Sequence, residues 1–443
     1  MLAGMRRLSV ALAFIASVLT PEALQSDPSR PYLDAAIAAA RWIDASAIRT
    51  EYGVTWPADP DDPKSVGQTL YSGSPGVVLF MLELHRATGD QQYLDRARLG
   101  ADHLIAAIDG ETETGLYTGL AGIGYTLLET ASLTRDTKYR DGARKATERI
   151  RALARPAGRG VEWSDVTDIV SGSAGTGLFL LYAAKELEAP AYRDVAARAG
   201  HRLIELARKD GAGEKWAMSP KFPRLMPNFS HGTAGIAYFL ATLSAEAGER
   251  VFLDHALAGA RYLQSVAKTE GDVCLIFHNE PDGKDLHYLS WCHGPPGTAR
   301  LFYRLHQITK DAQWLEWVHK SARGVMSTGI PERRQPGYWN NVSQCCGDAG
   351  VAMFFLDIAR AGGRRPEYTE FARKTTEYLI SKATRDEKGM RWVQAENRTQ
   401  PENLIAQTGY MQGGAGIGML LLRVDGMSRR RRLGIIFPDD PFD

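Results

Sequence analysis

The stretch GSAGTGLFLLYAA, residues 172–184, begins with a G-x-x-G element that opens an apolar run of helical length. The element recurs six more times, and an apolar run follows it each time. The seven copies begin at residues 73, 119, 172, 232, 294, 347 and 413. Self-similarity at intervals of this size is typical of folds built from repeated supersecondary units. One copy would be a weak signal, whereas seven in phase predict seven helical repeats.

A second pattern lies between these copies: an aromatic residue, any residue and an acid, followed by an amphipathic run, as in YRDGARKATERI from Tyr139. The seven instances begin at residues 32, 93, 139, 192, 252, 314 and 368. Charges on one face indicate outer helices, whereas the runs after G-x-x-G are apolar nearly all round, as inner helices are. The alternation therefore predicts an all-α fold of seven inner and seven outer helices.

Such pairs could stack as an open solenoid or close into a ring. We favour the closed form, an α/α toroid, because neither terminal repeat is polar on the side that an open end would expose. The paired glycines lack a Cβ, so we expect them to let the helix starts crowd together and to adopt positive φ at the turn.

Length and composition narrow the classes of function. The chain has 443 residues, a net charge of +1, 44% hydrophobic residues and four cysteines. This length supports a large buried core, and four cysteines are too few for a disulfide framework. Balanced charge predicts no nucleic-acid partner. The G-x-x-G copies lack the lysine and the serine or threonine of a phosphate-binding loop, so we expect no such loop. The basic run 429–432 is expected to be a solvated helix end.

The N-terminal stretch, residues 1–27, has the features of an export signal. Arg6 and Arg7 precede the apolar run LSVALAFIASVL at 8–19. Such a run spans about 18 Å as a helix, short of the ~30 Å hydrocarbon core, so a signal peptide is favoured over a transmembrane anchor. We therefore expect a toroid domain at 28–443 in the periplasm or outside the cell, or in the cytoplasm if the signal is misread. The oligomeric state is not indicated.

Two register positions, directly before each first glycine, should lie together at one end of the ring. The nearer position holds Ser72, Thr118, Ser171, His231, His293, Cys346 and Gln412, and the farther one holds Tyr71, Tyr117, Val170, Ser230, Cys292, Cys345 and Met411. Cys292, Cys345 and Cys346 could thus supply three thiolates to one zinc ion and leave its fourth position open, as catalytic zinc sites do. The alternatives are inert burial or a disulfide. Cys274 is out of register and is expected to be a buried thiol.

Three further residues near this end are candidates for the chemistry. His231, in FSHGTAG, is suited to moving protons at neutral pH, or it could be a core or capping histidine. Asp168 could orient His231, or it could cap the next helix. His293 could be a fourth metal ligand, a second proton carrier or a wall residue.

Four motifs resemble the lanthionine synthetase C-like family, the lanthipeptide cyclases: DIVSGSAG (168–175), SHGTAG (230–235), WCHGPPG (291–297) and QCCGDAG (344–350). The resemblance implies an α/α toroid with one Zn²⁺ held by Cys292, Cys345 and Cys346, and an acid/base pair at His231 and Asp168. The chain departs from the family at two positions: Cys346 stands where many members have histidine, and Tyr288 stands where members often have a basic residue.

The resemblance also implies an enzyme that forms thioethers by adding a thiol to a dehydroamino acid, with a thiol-containing or dehydrated peptide as substrate. Three alternatives stay open. A small thiol such as glutathione could be the donor, the toroid could be a zinc-binding scaffold without catalysis, or the protein could act on carbohydrate. The last chemistry needs two carboxyl groups flanking a sugar, and only Asp168 and Asp348 stand as candidates.

Overall fold

The computed structural model describes residues 29–361, 363, 365–429 and 431–442. The predicted signal peptide, residues 1–27, lies outside these ranges and stays a prediction, as does the start of the toroid domain at residue 28. Within the described ranges, no helix combines the length and apolar character that crossing a membrane requires.

Fourteen α-helices make up the body of the described chain. In chain order they are α1 (Pro31–Asp44), α2 (Ser74–Thr88), α3 (Gln91–Ala107), α4 (Leu120–Thr134), α5 (Thr137–Leu153), α6 (Ser173–Glu186), α7 (Ala191–Glu205), α8 (Thr233–Ala247), α9 (Arg250–Val266), α10 (Pro295–Thr309), α11 (Ala312–Ser327), α12 (Asp348–Ala361), α13 (Pro366–Ser381) and α14 (Gly414–Ser428). The even-numbered helices follow the G-x-x-G elements and form the inner layer, and the odd-numbered helices form the outer layer. The predicted all-α fold of seven inner and seven outer helices is confirmed.

Short antiparallel pairs of strands and two 3₁₀ helices occupy the loops. The strands are β1 (Ile48–Arg49), β2 (Val54–Thr55), β3 (Arg155–Ala157), β4 (Gly160–Glu162), β5 (Arg208–Asp210), β6 (Gly213–Lys215), β7 (Thr384–Asp386), β8 (Gly389–Arg391), β9 (Gln394–Ala395) and β10 (Leu404–Ile405). Each odd-numbered strand pairs with the next one along the chain. The 3₁₀ helices are Pro63–Ser65 and Ile108–Gly110.

The two layers differ in burial as their sequences predict. In α4, every residue from Leu120 to Thr130 is buried. In α5, the buried residues recur at helical spacing from Tyr139 to Ile150, and charged residues fill the opposite face. This is the pattern of a helix with one face on the core and one in water. The N-cap carboxylate of Asp136 accepts a hydrogen bond from the Lys138 N–H and fixes the start of α5.

The repeats close into a ring. Each inner helix packs against the next, from α2 to α14, and α14 packs against α2. The first outer helix, α1, packs against the last inner helix, α14. Six backbone hydrogen bonds of 2.8–3.0 Å link the farther register positions of neighbouring repeats, and one of them, from Met411 N to Tyr71 O, joins the last repeat to the first. The expectation of a closed toroid is therefore confirmed.

The glycines of the G-x-x-G elements are needed for close approach and not for an unusual backbone conformation. A Cβ on Gly235, the second glycine of its element, would lie 2.2 Å from the carbonyl oxygen of Phe229. The first glycines have extended backbone, with φ of −149° at Gly232 and −119° at Gly294. The expectation of positive φ at these turns was therefore wrong, because the chain enters each helix from an extended segment that lies against it.

The C-terminal segment 431–442 occupies the bore of the ring, between inner helices. The hydroxyl of Tyr125 donates to Ile436 O at 2.9 Å, and Arg300 Nη1 donates to Asp439 O at 2.8 Å. The Tyr117 hydroxyl donates to the buried Asp439 carboxylate at 3.1 Å. The segment thus fills the bore beneath the end of the ring where the inner helices begin.

Replacing Gly235 by alanine tests the close approach. We expect G235A to lower the free energy of unfolding by about 1–3 kcal/mol, because the added methyl group meets a backbone oxygen that cannot move aside. The matched control is G110A, since Gly110 is exposed and a Cβ there would touch nothing within 4 Å. Urea unfolding measures both. Equal stability of G235A and the wild type would contradict this explanation of the motif.

Candidate metal centre and acid/base pair

The sulfur atoms of three cysteines meet where the inner helices begin. The Sγ of Cys346 lies 3.3 Å from the Sγ of Cys292 and 3.3 Å from the Sγ of Cys345, and all three lie within 4.8 Å of one another. The backbone N–H of Cys292 donates to the carbonyl of Cys345 at 3.0 Å, which brings the two repeats together. All four cysteines are free thiols, so no disulfide joins the three.

This donor set fits a zinc ion. A tetrahedral ion with zinc–sulfur distances of about 2.3 Å holds its sulfurs about 3.8 Å apart. Two of the observed spacings are 3.3 Å and none exceeds 4.8 Å, so a small adjustment would bring the three sulfurs to that distance. Polar groups surround the sulfurs as they surround metal ligands in known sites. The Tyr71 hydroxyl donates to Cys345 Sγ at 3.2 Å, and Gln412 Nε2 donates to the Tyr71 oxygen at 2.8 Å. The cluster therefore could bind a metal.

The three thiols share their protons unequally. Hydrogen bonds from the thiols of Cys292 and Cys346, and from the Tyr71 hydroxyl, hold the pKa of Cys345 well below its usual value, although burial acts against them. Burial raises the pKa of Cys292 well above its usual value. The cluster thus favours one thiolate at Cys345, and a thiolate is the form that binds a metal.

His231, which is half-buried, and Asp168, which is fully buried, form a hydrogen-bonded pair. His231 Nδ1 lies 2.6 Å from Asp168 Oδ2, and because a carboxylate only accepts, the imidazole donates. Asp168 Oδ1 accepts from the backbone N–H groups of Ser171 and Gly172 at 2.8 and 3.0 Å. Asp168 therefore fixes the turn that leads into α6 and orients the His231 ring. Its role in catalysis stays a prediction.

The environment of His231 favours its charged form. Burial lowers the pKa of His231, but the charge of Asp168 and its hydrogen bond outweigh burial and raise the pKa overall. The side chain keeps 31% of its exposure and lines the cavity described below. The imidazole can therefore exchange a proton with a bound molecule.

A wall of aromatic rings stands beside the sulfurs. The ring centroids of His278 and Tyr288 are 4.3 Å apart, those of His278 and His293 are 4.4 Å apart, and Tyr288 contacts Trp339 at 5.2 Å. His293 lies outside the group of sulfur donors, so it is a wall residue here and not a fourth ligand among the described residues. Burial lowers the pKa of His293 well below its usual value, so its ring is neutral.

The sulfurs, His231 and the aromatic wall line one cavity of about 180 Å³. The other lining residues are Tyr71, Glu396, Asn397, Arg398 and Gln412. Sites that enclose a drug-sized ligand are larger, about 300–1,000 Å³. The cavity therefore has room for one or two side chains of a larger molecule, or for one small molecule.

Sequence reasoning missed part of this site. Tyr71 and Gln412 stand in the register that was considered, but neither was assigned a role. His278, Trp339 and Arg398 come from long loops outside the repeats, and no spacing connects them to the cysteines. Only a structure could place these three residues at the cavity.

Two other candidates lie away from the cavity. Cys274 is buried, and burial raises the pKa of its thiol to about 12, so it is an inert thiol. Asp348 is fully buried, where its carboxylate accepts from Arg334 at 2.7 Å and from Tyr338 at 2.6 Å. Asp348 therefore holds the start of α12. It does not line the cavity that His231 lines.

Removing the charge of Asp168 tests the pair. In D168N we expect the pKa of His231 to fall, because the carboxylate that offsets burial is gone. The raised pKa of His231 also implies an effect on stability. Because the folded protein holds the His231 proton more tightly than the unfolded chain, the pair stabilises the fold at pH values below the unfolded-state pKa. This stabilisation is lost as the pH rises through the folded-state pKa. D168N should lack that contribution. NMR titration of the imidazole, with the exposed D165N as control, measures the shift, and an unchanged pKa would contradict the assignment.

The model of the family described as lanthionine synthetase C-like protein matches residues 64–434. Among solved structures, nisin cyclase superposes with a TM-score of 0.62 at 16% identity, covering 88% of this chain and 92% of that one. At these identities, structural likeness shows the fold.

Two other solved structures share the fold. An inactive variant of the α-1,6-mannanase GH76A of Salegentibacter sp. superposes with a TM-score of 0.50 at 14% identity, over 89% of this chain and 99% of that one. The Lin0763 protein from Listeria innocua gives 0.51 at 13% identity, over 90% and 99%. The toroid is thus shared with proteins of other kinds, while the family match spans most of the chain. The chain belongs to the lanthionine synthetase C-like family.

Proposed function

We propose that the protein is a zinc enzyme that forms a thioether by adding a thiol to a dehydroalanine or dehydrobutyrine residue. The observation that carries the proposal is the position of His231, which Asp168 orients from behind, on the same cavity as three converging cysteine sulfurs. Three protein sulfurs leave room for a fourth ligand on a tetrahedral ion, and a substrate thiol has the same donor chemistry. Family membership and the fold shared with nisin cyclase support this assignment.

The zinc ion, when bound by Cys292, Cys345 and Cys346, would lower the pKa of a substrate thiol so that its thiolate persists at neutral pH. In its neutral form, His231 accepts the thiol proton on Nε2, since Nδ1–H is held by Asp168, and its raised pKa makes it a stronger base for this step. The substrate sulfur bonds to the β-carbon, the carbon–carbon double bond opens, and negative charge moves onto the carbonyl oxygen as an enolate. His231 then returns a proton to the α-carbon. No atom is lost and no oxidant is needed.

The substrate is a peptide that presents one or two reacting residues to the cavity. The cavity of about 180 Å³ cannot enclose a folded peptide, so most of the chain would lie outside it. A cavity of this size would also admit the thiol end of a small molecule. Glutathione therefore stays the second candidate donor.

Metal content tests the cluster. We expect about one zinc per chain in the purified protein, measured by mass spectrometry of the metal. C346A should bind zinc at least about 100-fold more weakly, because two sulfurs remain from the set of three. The matched control is C274A, which removes a thiol outside the cluster and should keep its zinc. C346A with undiminished zinc affinity would contradict the site.

Thioether formation tests the reaction. A peptide with one dehydroalanine and one cysteine should cyclise, which leaves its mass unchanged but removes its reaction with a thiol-alkylating reagent. H231N should slow this reaction by about 10²–10⁴-fold while zinc is retained, because the proton carrier is lost. The control is H201N, since His201 lies on α7 and outside the cavity.

A second arm separates the two donors. The same peptide with serine in place of cysteine is offered together with glutathione, and gain of the mass of glutathione identifies a small-thiol enzyme. If the wild type catalyses neither reaction, and H231N matches the wild type in zinc content and in both assays, the toroid is a scaffold and the proposed function is wrong.

A further inference from the structure

The loop between β9 and β10 carries an arginine to the cavity. Arg398 lies in this loop and lines the cavity together with the three cysteines. The base of the loop is fixed to the segment that leads to Cys345. Ala395 O accepts from Trp339 Nε1 at 2.8 Å and from Asn341 Nδ2 at 2.9 Å, and Gln394 Oε1 accepts from the N–H of Val342 at 2.7 Å. The position of Arg398 is thus tied to that of the cysteines.

The guanidinium of Arg398 has unused hydrogen-bonding capacity. Its Nε is buried and has no hydrogen-bond partner in the described part of the chain. No described carboxylate lies within ion-pair distance of it, and Glu396, the acid on the same wall, accepts from Gln407 at 2.7 Å instead. A buried donor without a partner is unfavourable, and cases in native structures call for an explanation. Because the Arg398 side chain lines the cavity, a ligand with an oxygen acceptor bound there would give the guanidinium a partner.

Arg398 carries a permanent positive charge beside the aromatic wall, whose rings are neutral. Burial raises the pKa of Tyr288 to about 12, and a hydrogen bond from Arg398 acts against this rise. Burial lowers the pKa of His278, and the charge of Arg398 lowers it further. The neighbouring rings are therefore uncharged at neutral pH, whereas an arginine keeps its charge at any accessible pH.

We propose that Arg398 is a catalytic residue that binds the carbonyl oxygen of the dehydroamino acid and stabilises the enolate oxygen formed from it. This inference rests on the proposed function, in which the addition of sulfur to the β-carbon moves negative charge onto that oxygen. A planar guanidinium that lines the cavity, on a loop whose base is fixed, suits this charge, because it need not reorganise as the charge develops. The proton still moves through His231, and Arg398 only donates hydrogen bonds.

The kinetic test uses R398Q and R398K. We expect R398Q to lower kcat about 10²–10³-fold, as the loss of one oxyanion donor does elsewhere, with zinc content and melting temperature unchanged. R398K should keep part of the rate, since it keeps the charge but not the planar fork. The control is R385Q, because Arg385 is an exposed arginine on β7.

A binding test works without turnover. The anion 3-mercaptopropionate has the sulfur, two carbons and negative oxygens of the thioether enolate, and 3-mercaptopropionamide is its neutral match in shape. The zinc-loaded wild type should bind the anion at least about tenfold more tightly than the amide by calorimetry, and R398Q should lose this preference. R385Q should keep it.

The outcomes separate the two ideas. If the wild type forms thioethers, and R398Q keeps both the wild-type rate and the preference for the anion, the role of Arg398 is overturned while the proposed function stands. Suppose that the wild type forms no thioether but prefers the anion, and that R398Q lacks this preference. The proposed function then fails, while Arg398 is still the residue that binds negative oxygen in this cavity.

Discussion

Backbone hydrogen bonds between the residues two positions before each G-x-x-G hold the repeats in one register, and the site depends on that register. Six of these bonds run around the ring, including Cys292 to Cys345 and Met411 to Tyr71. Each places the segment before one inner helix against the same segment of the next repeat. At the glycines, a Cβ is excluded by the preceding segment of the same repeat, as Phe229 O does at Gly235. The cysteines meet because they stand at equivalent positions of neighbouring repeats in a ring that this bonding closes.

The same arrangement sets the electrostatics of the cavity. All seven inner helices begin at this end of the ring, so their N-termini, which carry partial positive charge, converge near the sulfurs. This field favours thiolates and other anions there. Asp168 is fully buried close by, but two backbone N–H groups and His231 satisfy its carboxylate. Negative charge at the sulfurs and at Asp168 is thus stabilised by groups that the fold itself supplies.

Most of the architecture could be predicted from the sequence, because repeated helices leave a periodic pattern. The same register identified the three cysteines and His231. The local conformation of the glycines could not be predicted, since a missing Cβ permits both positive φ and close packing, and only the neighbouring carbonyl oxygen decides between them. His278, Trp339 and Arg398 lie in loops without periodicity, where long-range packing sets the position. The segment 431–442 has no pattern that indicates its place in the bore.

The fold alone does not select the chemistry, since a mannanase and nisin cyclase both share it. The central claim is that three sulfurs of this chain hold one zinc ion with a place left for a substrate thiol. X-ray absorption at the zinc edge tests it most directly. We expect three sulfurs at about 2.3 Å and one lighter atom in the resting protein, and four sulfurs after a thiol is added. A resting shell with fewer than three sulfurs, or one that a thiol leaves unchanged, would contradict it.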